Sequence, residues 1–326
     1  MSIPFRSLLA CVAVTLSLGA ATLPAAAQTY PGRPIRLIIP YPPGGAGDIV
    51  GRLLSARLGE ALGQPFVIDN RGGGGQVIAT ELAARAAPDG YTLFLASATH
   101  AVNPSGKKKL PYDTLKDFAP ITMVASSPLL FVVHPGVPVT SMRELVALAR
   151  AQPNKLNYGS SGPGSGGHLA VELLQSVSGA SMVHIPFKGA GPALTDLIGG
   201  QVQVVCTSPL AAMPQVRTGK LRALAMTGRS RFASAPDIPT VAESGFPGYE
   251  ASLWYALLAP AATPQPILER LHAEAVKVIR SPAMTEQLFA NGAEPVGNAP
   301  QELQAFIAAD IKRWGEVIRR ANIQIE

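Results

Sequence analysis

The spacing of apolar and polar positions alternates between two periods along most of the chain. Ile35–Pro40 is a short β-branched run and predicts a buried strand. Ile49, Val50, Leu53, Leu54, Leu58, Ala61 and Leu62 then recur at helical spacing, and Gly63 with Pro65 ends that pattern. Phe66–Asp69 predicts a second strand, Asn70–Gly75 a glycine loop, Val77–Ala87 a helix ended by Pro88, and Tyr91–Ala96 a third strand. Strands alternating with helices in this way predict a parallel sheet with crossover helices.

The alternation breaks at Ile121–Ala125 and Leu129–His134, two strands separated only by Ser126-Ser127-Pro128. It then restarts as helix Met142–Ala151, strand Leu156–Gly159, helix Gly166–Val177, strand Met182–Ile185, helix Ala193–Ile198 and strand Val202–Cys206. A short helix near Met213–Arg217 leads to strand Leu221–Met226, and Leu253–Ala259 is one strand more. Two long amphipathic helices are expected at the end. The first is Pro264–Arg280 with Thr263 as N-cap. The second starts after Asn298, with Gln301 completing a capping box, and puts Leu303, Phe306, Ile307, Ile311, Trp314 and Ile318 on one stripe. The expected organisation is two α/β units, the first discontinuous: residues 28–127 plus 253–326, and 128–252. Leu129–His134 and Leu253–Ala259 are expected to pair as hinge strands, about which such a molecule closes on a ligand.

Composition narrows the class. Of 326 residues, 47% are hydrophobic and 15% charged, against about 25% charged in an ordinary soluble protein, which excludes a disordered chain. Residues 1–27 read as a cleavable secretory signal peptide: Arg6, an uncharged apolar stretch from Ser7, and Ala25-Ala26-Ala27 as the cleavage point. The competing reading, a membrane anchor, meets Gly19 and Pro24 inside the stretch and no basic cluster after it. Lipidation at Cys11 would leave the apolar core of the leader too short. The mature chain then keeps one cysteine, Cys206, read as a buried small hydrophobe without a disulfide. The formal net charge of +6 is spread along the chain, and Lys107-Lys108-Lys109 is too short for a nucleic-acid arm. An exported, weakly basic protein suits small anions.

In an open α/β sheet ligands bind beyond the carboxyl ends of the strands. That selects 42–48, 70–75 and 97–103 in the first unit and 160–165, 186–191 and 207–209 in the second. The run Pro42-Pro43-Gly44-Gly45-Ala46-Gly47-Asp48 enters a helix, where free N–H groups and the macrodipole favour an anion; a plain tight turn is the competing reading. Asp48 reads as the helix N-cap. Its glycines miss the dinucleotide fingerprint by one position. Tyr158–Ser165 repeats the arrangement, with Ser160, Ser161 and Gly164 as candidate contacts and Ser165 as N-cap of the helix carrying His168. Gly159-Ser160-Ser161-Gly162-Pro163 lacks the last glycine of a nucleophile elbow, and no triad accompanies it. Ser97, Thr99 and His100 follow the third strand; His100 and His168 each have two readings, as ligand donors or as packed side chains. The five histidines have no metal-ligand spacing. Trp254 and Tyr255 either wall the cleft or belong to the core.

The motifs resemble one family throughout. Tyr30-Pro31-Gly32-Arg33-Pro34-Ile35, Pro42-Pro43-Gly44-Gly45, Ala87–Leu93 (APDGYTL), Leu110-Pro111-Tyr112-Asp113, Lys116–Pro120, Asn157–Gly162, His184–Gly189, Gly219–Ala225, Ile238–Glu243 and Gly292–Gly297 are similar, in order, to the Bug family of extracytoplasmic substrate-binding proteins of tripartite tricarboxylate transporters. The resemblance implies a bilobed periplasmic-binding-protein fold, type II-like, with the ligand cleft between two α/β domains. It implies a monomeric, cofactor-free and non-catalytic protein that delivers a small carboxylate to membrane transporter subunits. It also implies ligand contacts from Gly44, Gly45, Ala46, Gly47 and Asp48, from Ser97, Thr99 and His100, and from the 160–165 loop. Thr207 stands where many relatives carry Asp, which implies a carboxylate without an ammonium group. A sensor for a membrane signalling partner and a secreted α/β hydrolase are the alternative readings.

Overall fold

The computed structural model describes residues 30–41, 43–44, 46–106, 109–187, 189–321 and 323. The leader, Gly45, Pro42, Lys107-Lys108 and Lys188 lie outside the described residues. In chain order the elements are β1 (Ile35–Ile39), α1 (Ala46–Leu62), β2 (Phe66–Asn70), α2 (Val77–Ala84), β3 (Thr92–Ser97), α3 (Ala98–Gly106), β4 (Phe118–Pro128) and β5 (Leu130–Val133). They continue with α4 (Met142–Ala151), β6 (Asn157–Ser160), α5 (Gly166–Ser178), β7 (Val183–Pro186), α6 (Ala190–Ile198), β8 (Val204–Thr207), α7 (Pro209–Arg217) and β9 (Arg222–Met226). The last are β10 (Ser252–Pro260), α8 (Gln265–Ile279), α9 (Pro282–Ala290), β11 (Glu294–Pro295) and α10 (Pro300–Arg320).

Two mixed sheets result. One is six-stranded in the order β11-β4-β10-β3-β1-β2; the other is five-stranded, β7-β6-β8-β5-β9. β1 runs parallel to β2 and β3, and β6 runs parallel to β7 and β8, as the crossover pattern requires. β10 and β5 run antiparallel to their neighbours, so neither sheet is purely parallel. Strand parity explains the layering. Ile35, Leu37 and Ile39 face one way, onto Leu54 and Leu58 of α1 and Leu271 of α8. Ile38, Phe94 and Ala96 face the other, onto Ala79 and Ala83 of α2 and Val102 of α3.

The hinge differs from expectation. Leu129–His134 and Leu253–Ala259 lie in different sheets and do not pair with each other. β10 pairs instead along β4, Ser252 opposite Pro128, and β4 passes into β5 across Leu129. Thr227, wholly buried, ties the crossing together. Its Oγ1 accepts from the Leu129 N–H at 2.7 Å and donates to the Ala251 carbonyl at 2.5 Å, and its own N–H donates to the Leu129 carbonyl at 2.8 Å. α10 also bridges the two halves: its Trp314, Val317 and Ile318 share one apolar core with Ala101 of α3 and Leu169 of α5.

Helix starts also moved. The Thr263 hydroxyl donates to the Pro260 carbonyl at 2.7 Å, so α8 begins without a side-chain cap. The Asn298 side chain accepts from the Met123 N–H at 2.8 Å, tying it to β4. The N-cap of α10 is therefore Ala299, whose N–H is taken by Glu302 rather than Gln301. α9 is a further helix between the two expected ones. Trp254 and Tyr255 are core residues: Trp254 donates to Asp310 at 2.9 Å, and Tyr255 packs edge-on against Tyr41.

Candidate ligand-binding site

The strand order places two crevices. In the first sheet the connections diverge between β1 and β3, whose ends carry Tyr41 and Ser97; in the second they diverge between β6 and β8, whose ends carry Ser160 and Thr207.

The first loop is held by a carboxylate. Asp48 is buried in the first turn of α1, but it is not the N-cap, because the helix already begins at Ala46. Its Oδ2 accepts from the Gly44 N–H at 2.8 Å and from Arg52 Nε at 2.9 Å, and its Oδ1 accepts from Asn70 at 2.9 Å. Burial opposes ionisation, yet Arg52, the Gly44 N–H and Asn70 outweigh it and hold the carboxyl below the usual aspartate range. The Gly44 donor is thus engaged within the protein. Gly47 is buried because a Cβ there would lie 2.3 Å from the Tyr41 ring. Ala46 and Gly44 are exposed.

Residues 97–103, expected as a loop, are the end of β3 and most of α3. Ser97 is buried and donates to Gln76 Oε1 at 2.8 Å. Gln76 sits at φ 69° after the glycine run, and Tyr41, whose phenol burial pushes up, completes this group. Thr99 is half-buried at the start of α3. His100 is buried: its ring is enclosed by Phe94, Tyr112 and Phe118, and burial pushes its pKa down to about 4.

The second loop is held by neutral groups. Ser160 is buried, 2.7 Å from His184 Nε2, and its Oγ also accepts from the Gly162 N–H at 3.1 Å. Ser161 is exposed. Gly162 and Gly164 take φ values of 123° and 71°, which only glycine adopts readily. Ser165 is the N-cap of α5, accepting from the His168 N–H. His168 Nδ1 accepts from the Gly164 N–H at 3.0 Å, so this ring works as a brace on the loop. Thr207 is buried at the end of β8. There α5 approaches closely, a Cβ on Gly167 falling 2.1 Å from the Cys206 carbonyl oxygen.

The two halves meet in a pocket of about 40 Å³ lined by Ala98, Thr99 and Val102 from α3, Gly164, Gly166 and Leu169 from the second loop and α5, Leu129, residues 251–253, and Trp314. The first turns of α3 and α5 therefore share one space. Trp314 is buried and its indole N–H has no hydrogen-bond partner among the described residues. Gly44, Ala46, Gly47, Asp48, Ser160, Ser161 and Thr207 lie outside this lining. The sequence did not mark Tyr41, Gln76 or Trp314 as site residues; of these only Gln76 carried a signal, as the polar residue that ends the glycine run. Among the described residues no group of three or more His, Cys, Asp or Glu is placed to hold a metal, and no helix is long and apolar enough to cross a membrane.

A family model described as the tripartite tricarboxylate transporter family receptor matches residues 50–323. Protein BugT of Bordetella pertussis is 39% identical over 321 residues, 98% of this chain and 98% of its own. Among solved structures, Rpa4515 of R. palustris with adipate is 38% identical with a TM-score of 0.75, covering 90% of this chain and 99% of its own. MatC of Rhodopseudomonas palustris with bound malate is 32% identical with a TM-score of 0.71, covering 89% and 100%. The two mixed α/β sheets and these whole-length matches agree: the chain belongs to the tripartite tricarboxylate transporter receptor family, a family of solute-binding proteins rather than enzymes.

Proposed function

We propose that this protein captures a small organic carboxylate between two lobes in the periplasm and presents it to the membrane subunits of a tripartite tricarboxylate transporter. The lobes are residues 28–127 with 253–326, and residues 128–252, and residues 1–27 are the export signal removed after Ala27. The observation that carries this reading is the shared pocket, where the first turns of α3 and α5 bring Thr99 and Gly164 together beside Trp314. Helix N-termini and neutral donors stabilise a carboxylate without a buried cation. Among the described residues neither Lys nor Arg lines the pocket. Relatives solved with adipate and malate supply the ligand class.

The pocket's 40 Å³ exceeds a water molecule but not a dicarboxylate. Ligand entry therefore requires the lobes to part about Leu129, Thr227 and Ala251, and the ligand selects the form in which both helix starts reach it. Ser161, exposed on the second loop, adds a hydroxyl contact in the ligand-bound form. Thr207, uncharged, disfavours a ligand ammonium. A thermal-shift screen of residues 28–326 against adipate, malate, citrate, succinate and amino acids tests the class, since a native-state ligand raises apparent stability. Stabilisation by at least one carboxylate is expected; a folded protein that responds to none overturns the reading. Calorimetry with succinate and aspartate tests Thr207, and tighter aspartate binding would reject it.

A further inference from the structure

We propose that His168 and His184 are positioning residues of the 160–165 loop, holding it in its ligand-ready shape only while both rings are neutral, so that acidification releases the ligand. This rests on the carboxylate-binding reading for its ligand and on the following geometry for the rest.

His168 Nδ1 accepts the Gly164 N–H at 3.0 Å. A backbone N–H cannot accept in return, so the ring proton of neutral His168 resides on Nε2. A second proton on Nδ1 would set two donors against each other and detach Gly164 from its brace. His184 lies 3.9 Å from His168, ring centroid to centroid, with planes 7° apart. Its Nε2 meets Ser160 Oγ at 2.7 Å, and the same Oγ holds the Gly162 N–H. That Oγ also lies 3.1 Å from the Gly162 carbonyl, to which it can donate. Two charged imidazoles at that spacing repel, so protonating the pair strains both braces. Gly162 and Gly164 are thus each anchored through one member of a stacked pair.

The groups around the pair do not rescue a cation. Tyr158 of β6 stacks on both rings. Glu172, one turn along α5, lies 3.9 Å from His168 Nε2, but its Oε1 already accepts from Tyr158 and from Gln175, and burial raises its pKa toward the neutral acid. β8 brings the buried Cys206, α6 carries Asp196, and α10 brings Arg320, which donates to Ser176. Among the described residues Glu172 is the one carboxylate within 4.0 Å of either ring. Burial, and then the neighbouring His184, push the His168 pKa down to about 4; burial lowers that of His184.

Two substitutions separate the brace from mere packing. His168→Asn keeps an acceptor near the Nδ1 position and cannot titrate, whereas His168→Phe keeps a stacking ring and loses the acceptor. With whichever of adipate, malate or citrate gives the largest thermal shift at pH 7.5, His168→Asn is expected to bind within about threefold of wild type, and His168→Phe about tenfold more weakly, the value of one lost hydrogen bond. From pH 7 to pH 3.5, below the His168 pKa of about 4, wild type should lose several-fold more affinity than His168→Asn; ligand ionisation is common to both and cancels. Parallel pH profiles would overturn the proposal. A second arm needs no ligand: NMR titration of the full mature protein should show the Gly164 amide shift following the His168 ring midpoint, well below 6.5. A Gly164 amide that ignores that midpoint, or a His168 midpoint near 6.5, refutes the brace even if no carboxylate in the panel binds.

Discussion

The two loops that close the site are built on the same plan, a strand ending in a glycine-rich turn that feeds a helix, yet they are held by opposite chemistry. The first is fastened by an ion: Asp48 gathers the Gly44 N–H, Arg52 and Asn70. The second is fastened by neutral side chains: Ser160, His184 and His168 hold Gly162 and Gly164. The difference teaches that a buried brace may be charged where an arginine is in reach, and must be uncharged where two imidazoles stack. It also separates the loops along the pH axis.

The largest effect should come from the second loop's backbone. Gly167→Ala sets a Cβ against the Cys206 carbonyl, and backbone on both sides cannot yield; about 3 kcal/mol of stability should be lost, read as a lower midpoint in urea unfolding. Asp48→Ala comes next. It removes the buried carboxylate that the Gly44 N–H, Arg52 and Asn70 share, at a cost of about 2 kcal/mol, and should weaken ligand binding at every pH. Ser160→Ala removes one shared hydroxyl and should cost about 1 kcal/mol. A wild-type midpoint for either variant would mean that its loop is held by other contacts.

Acid sharpens the comparison. His168 and His100 have pKa values near 4 in the folded protein, while an unfolded histidine titrates near about 6.5. Between those values the unfolded chain binds more protons, so stability is full above about pH 6.5 and falls as pH drops toward 4. Asp48, with a lowered pKa, contributes stability that persists until pH falls below about 3.9. The melting temperature should therefore start to fall well above the aspartate range, and His168→Asn should remove part of that early fall. An identical melting profile in the variant would assign the early loss to His100 and His184. The smallest effect is expected for Ser161→Ala: no change in melting temperature, since the side chain is exposed, and a few-fold loss of affinity.

The sequence on its own determined the elements whose signals are local. Met142–Ala151 has the expected ends because Ser141 caps it and Glu144 answers in the first turn. β1, α1, β2 and β3 follow from β-branched runs, helical spacing and glycine or proline stops, and the rule of strand ends then points to the 42–48, 160–165 and 207–209 loops. What the tertiary structure decided is whatever depends on a distant partner. α3 was read as a loop because Ala98–Gly106 has no apolar stripe and contains Pro104; it is a helix because α10 packs along it, Gly315 lying against Ser105. Thr263 and Asn298 lost their capping roles to the ends of β10 and to β4. The hinge pairing was settled by β4 and β10 aligning within one sheet. Asp48 found Asn70, and His168 found His184, only through folding, because hydrogen bonds between residues remote in sequence leave no periodic trace in it.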